Sequence, residues 1–355
     1  MGTNTLQLSS FTTEGGETLT SPEITYRTWG TLNEEGSNAI LICHALTGSA
    51  DADEWLHGLF GTGKVFDPNQ DFIVCANVFG GCYGSTGPSS INPDTGKPYQ
   101  ADFPALTIRD LVHQQQILLD HLNVQKLKFV FGGSMGGMQA LEFGIMDDRP
   151  ERLVLVAMGK AHSAWAIGVG ETQRQAIMAD PKWQQGYYNP DDPPANGLGT
   201  ARMMAMISYR THTSFQKRFS RKVQDDNKDM FQVESYLNYQ GQKLVERFDA
   251  NTYIRLTQVM DSHDVGRNRQ SAESALQSVK VPALVIGIDS DILYPVSEQK
   301  ELAELLPNGL YKELHSEDGH DGFLIEFERL SQYIFDFLSQ SDYSNVQRTD
   351  FASRT

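Results

Sequence analysis

The stretch Phe129-Val130-Phe131-Gly132-Gly133-Ser134-Met135-Gly136-Gly137-Met138 decides how this chain is read. Its first three residues are an unbroken apolar run, which suits a strand buried on both faces of a parallel sheet. From Met135 the pattern turns helical, so Gly132-Gly133-Ser134-Met135-Gly136 is a G-x-S-x-G sequence set between a strand and a helix. That is the setting of a nucleophile elbow, a turn so tight that the flanking residues must lack side chains. It lifts the Ser134 hydroxyl above the sheet at a helix N-terminus, where backbone N–H groups stabilise negative charge. The plain alternative is a glycine-rich turn whose serine caps the helix. The strand before and the helix after favour the elbow.

Comparable apolar runs occur at Ala39–Cys43, Phe72–Ala76, 153–157 and Ala283–Ile288, the last within a strand expected over 281–288. Residues 5–12 and 23–26 read as strands bounded by turns at Glu14-Gly15-Gly16 and Gly30. Residues 108–122 place Ile108, Leu111, Val112, Leu118, Leu119 and Leu122 on one helical stripe, with polar Gln115 interrupting it. Strands alternating with helices predict an α/β fold with a mostly parallel central sheet. The alternation stops from about residue 164 to 277, a stretch rich in Met, Gln, Arg and Tyr at helical spacing. The expected organisation is a core over residues 1–163 and 278–338, a helical lid inserted over 164–277, and a polar C-terminal tail over 339–355. A second structural domain unrelated to the site is the alternative. Within the lid, Gly168 and Gly170 each weaken a helix by about 1 kcal/mol relative to Ala, so a hinge or a loop near the site both remain open there.

The chain has 355 residues, 39% of them apolar and 21% charged, with a formal net charge of −16. That composition suits a packed core and lies far from the disordered range. The acidity argues against a nucleic-acid partner, which would demand basic patches. Three cysteines, Cys43, Cys75 and Cys82, make no disulfide framework and point to a reducing compartment. Residues 1–12 show no signal-peptide pattern, and no run approaches the ~18 apolar residues of a membrane span. The expectation is a cytoplasmic protein with no membrane partner. No metal is expected, since there is no H-E-x-x-H and no Cys/His cluster at ligand spacing. His263-Asp264 reads as part of a structural turn.

An elbow serine needs a base and an orienting acid, which follow it in the order Asp or Glu, then His. The strand ending at Ile288 runs into Asp289-Ser290-Asp291, and both carboxylates qualify. His320 lies between a strand-like 310–314 and a helix over 323–338, in a loop that can reach over the sheet. His315 is its main rival, and His44 sits near the loop after the strand Ala39–Cys43. The base would take the serine proton and the acid would hold the imidazole tautomer. The oxyanion would take two N–H donors, Met135 and, from His44-Ala45-Leu46-Thr47-Gly48, Leu46.

At these residues the chain resembles a known family. The loop 44–48, Gly81-Cys82-Tyr83-Gly84-Ser85-Thr86-Gly87-Pro88-Ser89-Ser90, the elbow, Asp289-Ser290-Asp291 and Gly319-His320-Asp321 are similar to the homoserine O-acetyltransferases, acyltransferases of the α/β-hydrolase fold. The likeness extends through Gln173-Arg174-Gln175-Ala176-Ile177, Ala201-Arg202-Met203 and Met260-Asp261-Ser262-His263-Asp264-Val265, and so covers nearly the whole chain, lid included. Residues 84–90 are its most specific part, because ordinary esterases of the fold do not usually carry them. The resemblance implies transfer of an acetyl group from acetyl-CoA, a co-substrate rather than a permanently bound cofactor, to the hydroxyl of L-homoserine. It implies a ping-pong acyl-enzyme route within methionine biosynthesis. It maps nucleophile, acid and base onto Ser134, Asp291 and His320, preferring Asp291 to Asp289. The family's amino-acid-binding arginine matches Arg202, and its aspartate beside the histidine matches Asp321. A zwitterion needs a cation for its carboxylate and an anion for its ammonium, which these two would supply. Tyr209 would line the same pocket, with Arg174 and Arg210 as fallback clamps. The family commonly dimerises, so the Met- and aromatic-rich lid is the expected homodimer surface. The alternatives are a succinyl donor, a serine acceptor, hydrolysis of esters or thioesters, and a catalytically silent binding protein.

Overall fold

The architecture comes from a computed structural model that describes residues 2–225 and 229–340. The expected polar tail therefore lies, beyond Gln340, outside the described residues. The central sheet is built from β1 (Asn4–Gln7), β2 (Glu23–Trp29), β3 (Ala39–Cys43), β4 (Phe72–Ala76), β5 (Leu127–Gly133), β6 (Leu153–Val156), β7 (Ala283–Ile288) and β8 (Gly309–Leu314). Their spatial order is β1-β2-β4-β3-β5-β6-β7-β8. β2 runs antiparallel to both its neighbours, and every other pairing in the sheet is parallel.

The unbroken apolar runs become the inner strands because both sheet faces are covered. All residues of β3, β4, β6 and β7 are buried. Alternate residues feed two separate cores. Leu41, Val130, Leu155 and Val285 pack on one face with Leu111 and Leu118 of α1 (Ile108–His121) and Leu141 of α2 (Met135–Met146). Ile42, Phe131, Val156 and Ile286 pack on the other with Leu330, Ile334 and Phe337. Thr107 and Asp110 close a capping box at the start of α1.

The strand expected over residues 5–12 is split. β1 pairs with β2, whereas Ser10–Thr12 pairs with Thr18–Thr20 in a separate hairpin. The break turns Phe11 inward onto Phe79, with ring centroids 5.0 Å apart. Residues 164–278 form α3 (Ala164–Met178), α4 (Ala195–Tyr209), α5 (His212–Arg218), α6 (Gln232–Val245), α7 (Ala250–Asp261) and α8 (Ala272–Ser278). Among the described residues this stretch adds no strand to the central sheet. Gly168 and Gly170 do not break α3, which starts on a Ser163 cap and runs unbroken past both. After β7 come α9 (Val296–Leu305) and, after β8, α10 (Phe327–Ser339). No described helix is long and apolar enough to cross a membrane.

Candidate active site

β5 delivers its C-terminal residue straight into the turn at Ser134, whose backbone adopts φ 56° and ψ −127°. A non-glycine residue there stores roughly 1–3 kcal/mol of strain, held by the Ser134 N–H bond to the Val156 carbonyl at 2.9 Å. The glycines are sterically required. A Cβ on Gly132 would lie 2.0 Å from the Gly136 carbonyl oxygen, and one on Gly136 would lie 2.0 Å from that of Cys43. The Ser134 side chain makes no capping bond to the helix it precedes, so the plain capping reading does not hold.

Asp291 follows β7 and is buried, its side chain 0% exposed. Its Oδ1 accepts from the Leu293 and Tyr294 N–H groups at 2.8 and 3.0 Å, and its Oδ2 meets His320 Nδ1 at 2.7 Å. An ionised carboxylate there makes Nδ1 the protonated nitrogen and leaves Nε2 with the free lone pair. Burial alone would push the His320 pKa down, but the charge and hydrogen bond of Asp291 outweigh it and hold it above the ordinary value. The imidazole packs against Tyr209, Tyr294 and Phe323, with centroids 5.2–5.7 Å away. Phe323 lies 2.7 Å from where a Gly133 Cβ would stand, which seats the His320 loop on the elbow. The other two candidates pair with each other, Asp289 with His315, near the surface.

The loop after β3 faces the helix start of α2. Among the described residues neither the Leu46 nor the Met135 N–H has a protein acceptor, so both are available to an anion. Three polar side chains hold this loop. His44 Nε2 accepts from the Val78 N–H at 3.2 Å, so Nδ1 carries the proton and donates to the Ala45 carbonyl at 2.8 Å. Burial pushes the His44 pKa down to about 4, which keeps it neutral. Gln139 Nε2 bridges the His44 and Met135 carbonyls at 3.2 and 3.1 Å, and Gln115 Nε2 donates to Gln139 Oε1 at 2.7 Å. Sequence reasoning passed over Gln139. Its signal was Gln115, the polar interruption of an otherwise apolar stripe.

Three arginines approach the site from the lid. Arg174 is paired with Glu171 and Asp261 at 2.9 and 2.8 Å. Arg210 is hydrogen-bonded to Asp318 at 2.6 Å and lies 3.0 Å from Asp321, an ion pair without aligned hydrogen-bond geometry. Arg202 sits half-buried over the Tyr209 ring at 5.7 Å, with no carboxylate within 4.0 Å among the described residues. Asp321 is thus already compensated by Arg210, and burial raises its pKa. Tyr294, also missed in the sequence, both donates to Asp291 and packs on His320, while its hydroxyl meets His162 Nδ1 at 3.2 Å. A small pocket between Leu46, Tyr209, Tyr294 and Asp261 lies beside these groups. Buried His263 is tied by Nε2 to the Gly159 carbonyl at 2.9 Å. Among the described residues no group of three or more His, Cys, Asp or Glu side chains is placed to hold a metal.

The site thus brings together a serine on an elbow, a buried histidine oriented by a carboxylate, and two N–H groups without a protein acceptor among the described residues. Residues 38–327 match the family of the alpha/beta hydrolase fold, which is the class that fold and site define. A homoserine O-acetyltransferase from Bacillus anthracis superposes with a TM-score of 0.89 at 27% identity, over 96% of this chain and 98% of that one. Esterase E22 superposes with a TM-score of 0.88 at 28% identity, over 95% and 99%. Homoserine O-acetyltransferases from Chloroherpeton thalassium and Chlorobium luteolum are 54% and 56% identical to this chain, covering 97% and 92% of it and 93% and 91% of themselves. The chain belongs to the homoserine O-acetyltransferase family.

Proposed function

We propose that the enzyme moves an acetyl group from acetyl-CoA to the hydroxyl of L-homoserine through an acetyl-enzyme on Ser134. Ser134 Oγ attacks the thioester carbonyl as His320 Nε2 takes its proton, with Asp291 holding the imidazolium. The Leu46 and Met135 N–H groups take the oxyanion, each worth roughly 3 kcal/mol of barrier. Collapse breaks the C–S bond, and the departing thiolate receives the proton from His320. Homoserine then enters with its carboxylate on Arg202 and its ammonium by Asp321, against Tyr209. His320 removes the hydroxyl proton, the oxygen attacks the acetyl carbon, and the ester leaves as Ser134 regains its proton. The helical lid keeps water from the waiting acyl-enzyme.

The observation that carries this reading is the Arg202 guanidinium over the tyrosine that packs against the base, outside any ion pair within 4.0 Å among the described residues and acting on Asp321 through its charge. A simple esterase has no need of a cation there. Mixing the enzyme with acetyl-CoA alone tests it: intact mass should gain one acetyl group in the wild type and none in Ser134→Ala. A wild type that turns over but never carries the adduct overturns the ping-pong route. Hydrolysis is the second reading, favoured by the close superposition on esterase E22. CoA release that does not rise when homoserine is added would select it. The same proposal places the protein in methionine biosynthesis, as a cytoplasmic homodimer joined through the lid. Exposed Trp165, Ile207 and Tyr239 on three lid helices support the dimer, and a monomer elution volume at micromolar concentration would count against it.

A further inference from the structure

The most specific segment of the sequence, residues 84–90, takes no direct part in the chemistry just described. The hydroxyls of Ser85 and Thr86 are spent on structure. Ser85 Oγ accepts from the Thr25 N–H at 2.9 Å and donates to the Asn77 carbonyl at 2.6 Å, and Thr86 Oγ1 accepts from the Glu23 N–H at 2.8 Å. A Cβ on Gly87 would lie 2.0 Å from the Gly81 carbonyl oxygen, so the segment folds back tightly on itself. What this clamp presents outward is one wall of a groove. Pro88 and Ser89 face Tyr188, Leu198 and Phe248 of the lid across a space of about 420 Å³. That volume is in the range of small-molecule sites.

Arg247 lines the same groove and reaches the loop after β3. Its Nη1 donates to the Thr47 carbonyl at 3.0 Å, and its guanidinium also bonds the Tyr83 hydroxyl. Thr47 is the residue after Leu46. Arg247 has no carboxylate within 4.0 Å among the described residues, and two of its five N–H donors are accounted for by these contacts. Two acids share the groove wall. Asp249 is spent on the Thr252 N–H and the Tyr188 hydroxyl, and Glu246 is exposed. In a chain of net charge −16 an uncompensated arginine beside the oxyanion loop is a selective feature.

We propose that this groove holds the phosphate-bearing arm of the thioester donor, with Arg247 as its anion anchor, so that the acyl end passes the Leu46 loop toward Ser134. The inference rests on the acetyl-CoA reading above and adds where that polyanion binds. Arginine suits the task because its fork offers paired donors to phosphate oxygens. The test compares acetyl-CoA with a phosphate-free thioester, S-acetyl-N-acetylcysteamine, in wild type, Arg247→Met and Arg247→Lys. The expected result is that Arg247→Met raises KM for acetyl-CoA about tenfold more than for the phosphate-free donor. Arg247→Lys should recover part of that difference, and KM for homoserine should move less. Equal losses with both donors would overturn the proposal, since Arg247 would then only support the Thr47 carbonyl. An unchanged KM for acetyl-CoA would overturn it as well. A wild type that releases no CoA from acetyl-CoA fails the donor reading itself, a result distinct from either.

Discussion

Two Asp–His pairs stand at the ends of neighbouring strands β7 and β8, made of the same residue types through the same ring nitrogen. Asp289 meets His315 at 2.9 Å with side chains 36% and 64% exposed, and Asp291 meets His320 at 2.7 Å with side chains 0% and 5% exposed. The outer pair is bathed in water, so its attraction is screened and worth roughly 0–1 kcal/mol. Asp289 Oδ1 also accepts from the Ser316 N–H at 3.0 Å, so the outer pair fastens the chain as it leaves β8. The inner pair has lost its water, its carboxylate is fixed by two backbone N–H groups, and its ring is walled by aromatics. Distance alone does not distinguish a surface tether from a dry, oriented pair; burial and the third partner do.

The comparison can be broken from the inner side. Ser134→Ala, which leaves both pairs intact, should cost about 10⁴-fold or more in turnover, read by CoA release in the presence of homoserine. Asp291→Asn should cost about 10²- to 10⁴-fold in kcat. It should also shift the pH profile. His320 acts when neutral, and its pKa is held above the ordinary 6.5 by Asp291, so wild-type kcat/KM should fall as pH drops through a limb above that value. Without the Asp291 charge, burial remains as the force that lowers the pKa, and the limb should move to more acid pH. A limb that stays in place would mean that another group titrates.

The lid side gives a smaller effect. Arg202→Ala should raise KM for homoserine about tenfold or more. Arg174→Lys should act mainly on thermal stability, because that guanidinium is already paired. Equal KM effects from the two substitutions would remove the distinction between them.

His44 sharpens the comparison from another direction, as a histidine buried without a carboxylate. Its folded pKa of about 4 lies below the unfolded 6.5, so the unfolded state binds the extra proton first. Its contribution is complete above pH 6.5 and is lost as pH falls toward 4, to the extent of about 3 kcal/mol. Melting temperature against pH should show that slope in the wild type and a flatter one in His44→Gln. Smallest of all, Asp289→Asn should leave turnover within about threefold and change stability by about 1 kcal/mol or less. A loss approaching that of Asp291→Asn would mean that the two pairs are not separable.

Much of this geometry was legible because it is local. The elbow is a steric requirement of five consecutive residues, and Gly132, Ser134 and Gly136 state it outright. The buried strands show in runs such as Ala39–Cys43, since a residue with helices on both sides has no polar face to offer. Other features were not. Gly168 and Gly170 suggested a break, yet α3 continues through them, because packing of the surrounding helix outweighs a propensity cost of about 1 kcal/mol per glycine. Residues 5–12 read as one strand from their β-branched residues and the turn that follows, while the distant rings of Phe79 and His113 are what Phe11 turns toward.

The amino-acid sequence by itself determined the turn at Ser134, the alternation of strand and helix, and the set of aspartates, histidines and arginines from which a site could be drawn. Those follow from neighbours in the chain, through sterics and periodicity. Tertiary structure decided which members of the set do what. It buried Asp291 and left Asp289 wet, drew Arg174 and Arg210 into ion pairs but not Arg202, and turned Gln115 and Gln139 into the brace of the loop after β3. The physical reason is that desolvation and charge pairing depend on groups distant in the chain: 29 positions separate Asp291 from His320 and 108 separate Arg210 from Asp318.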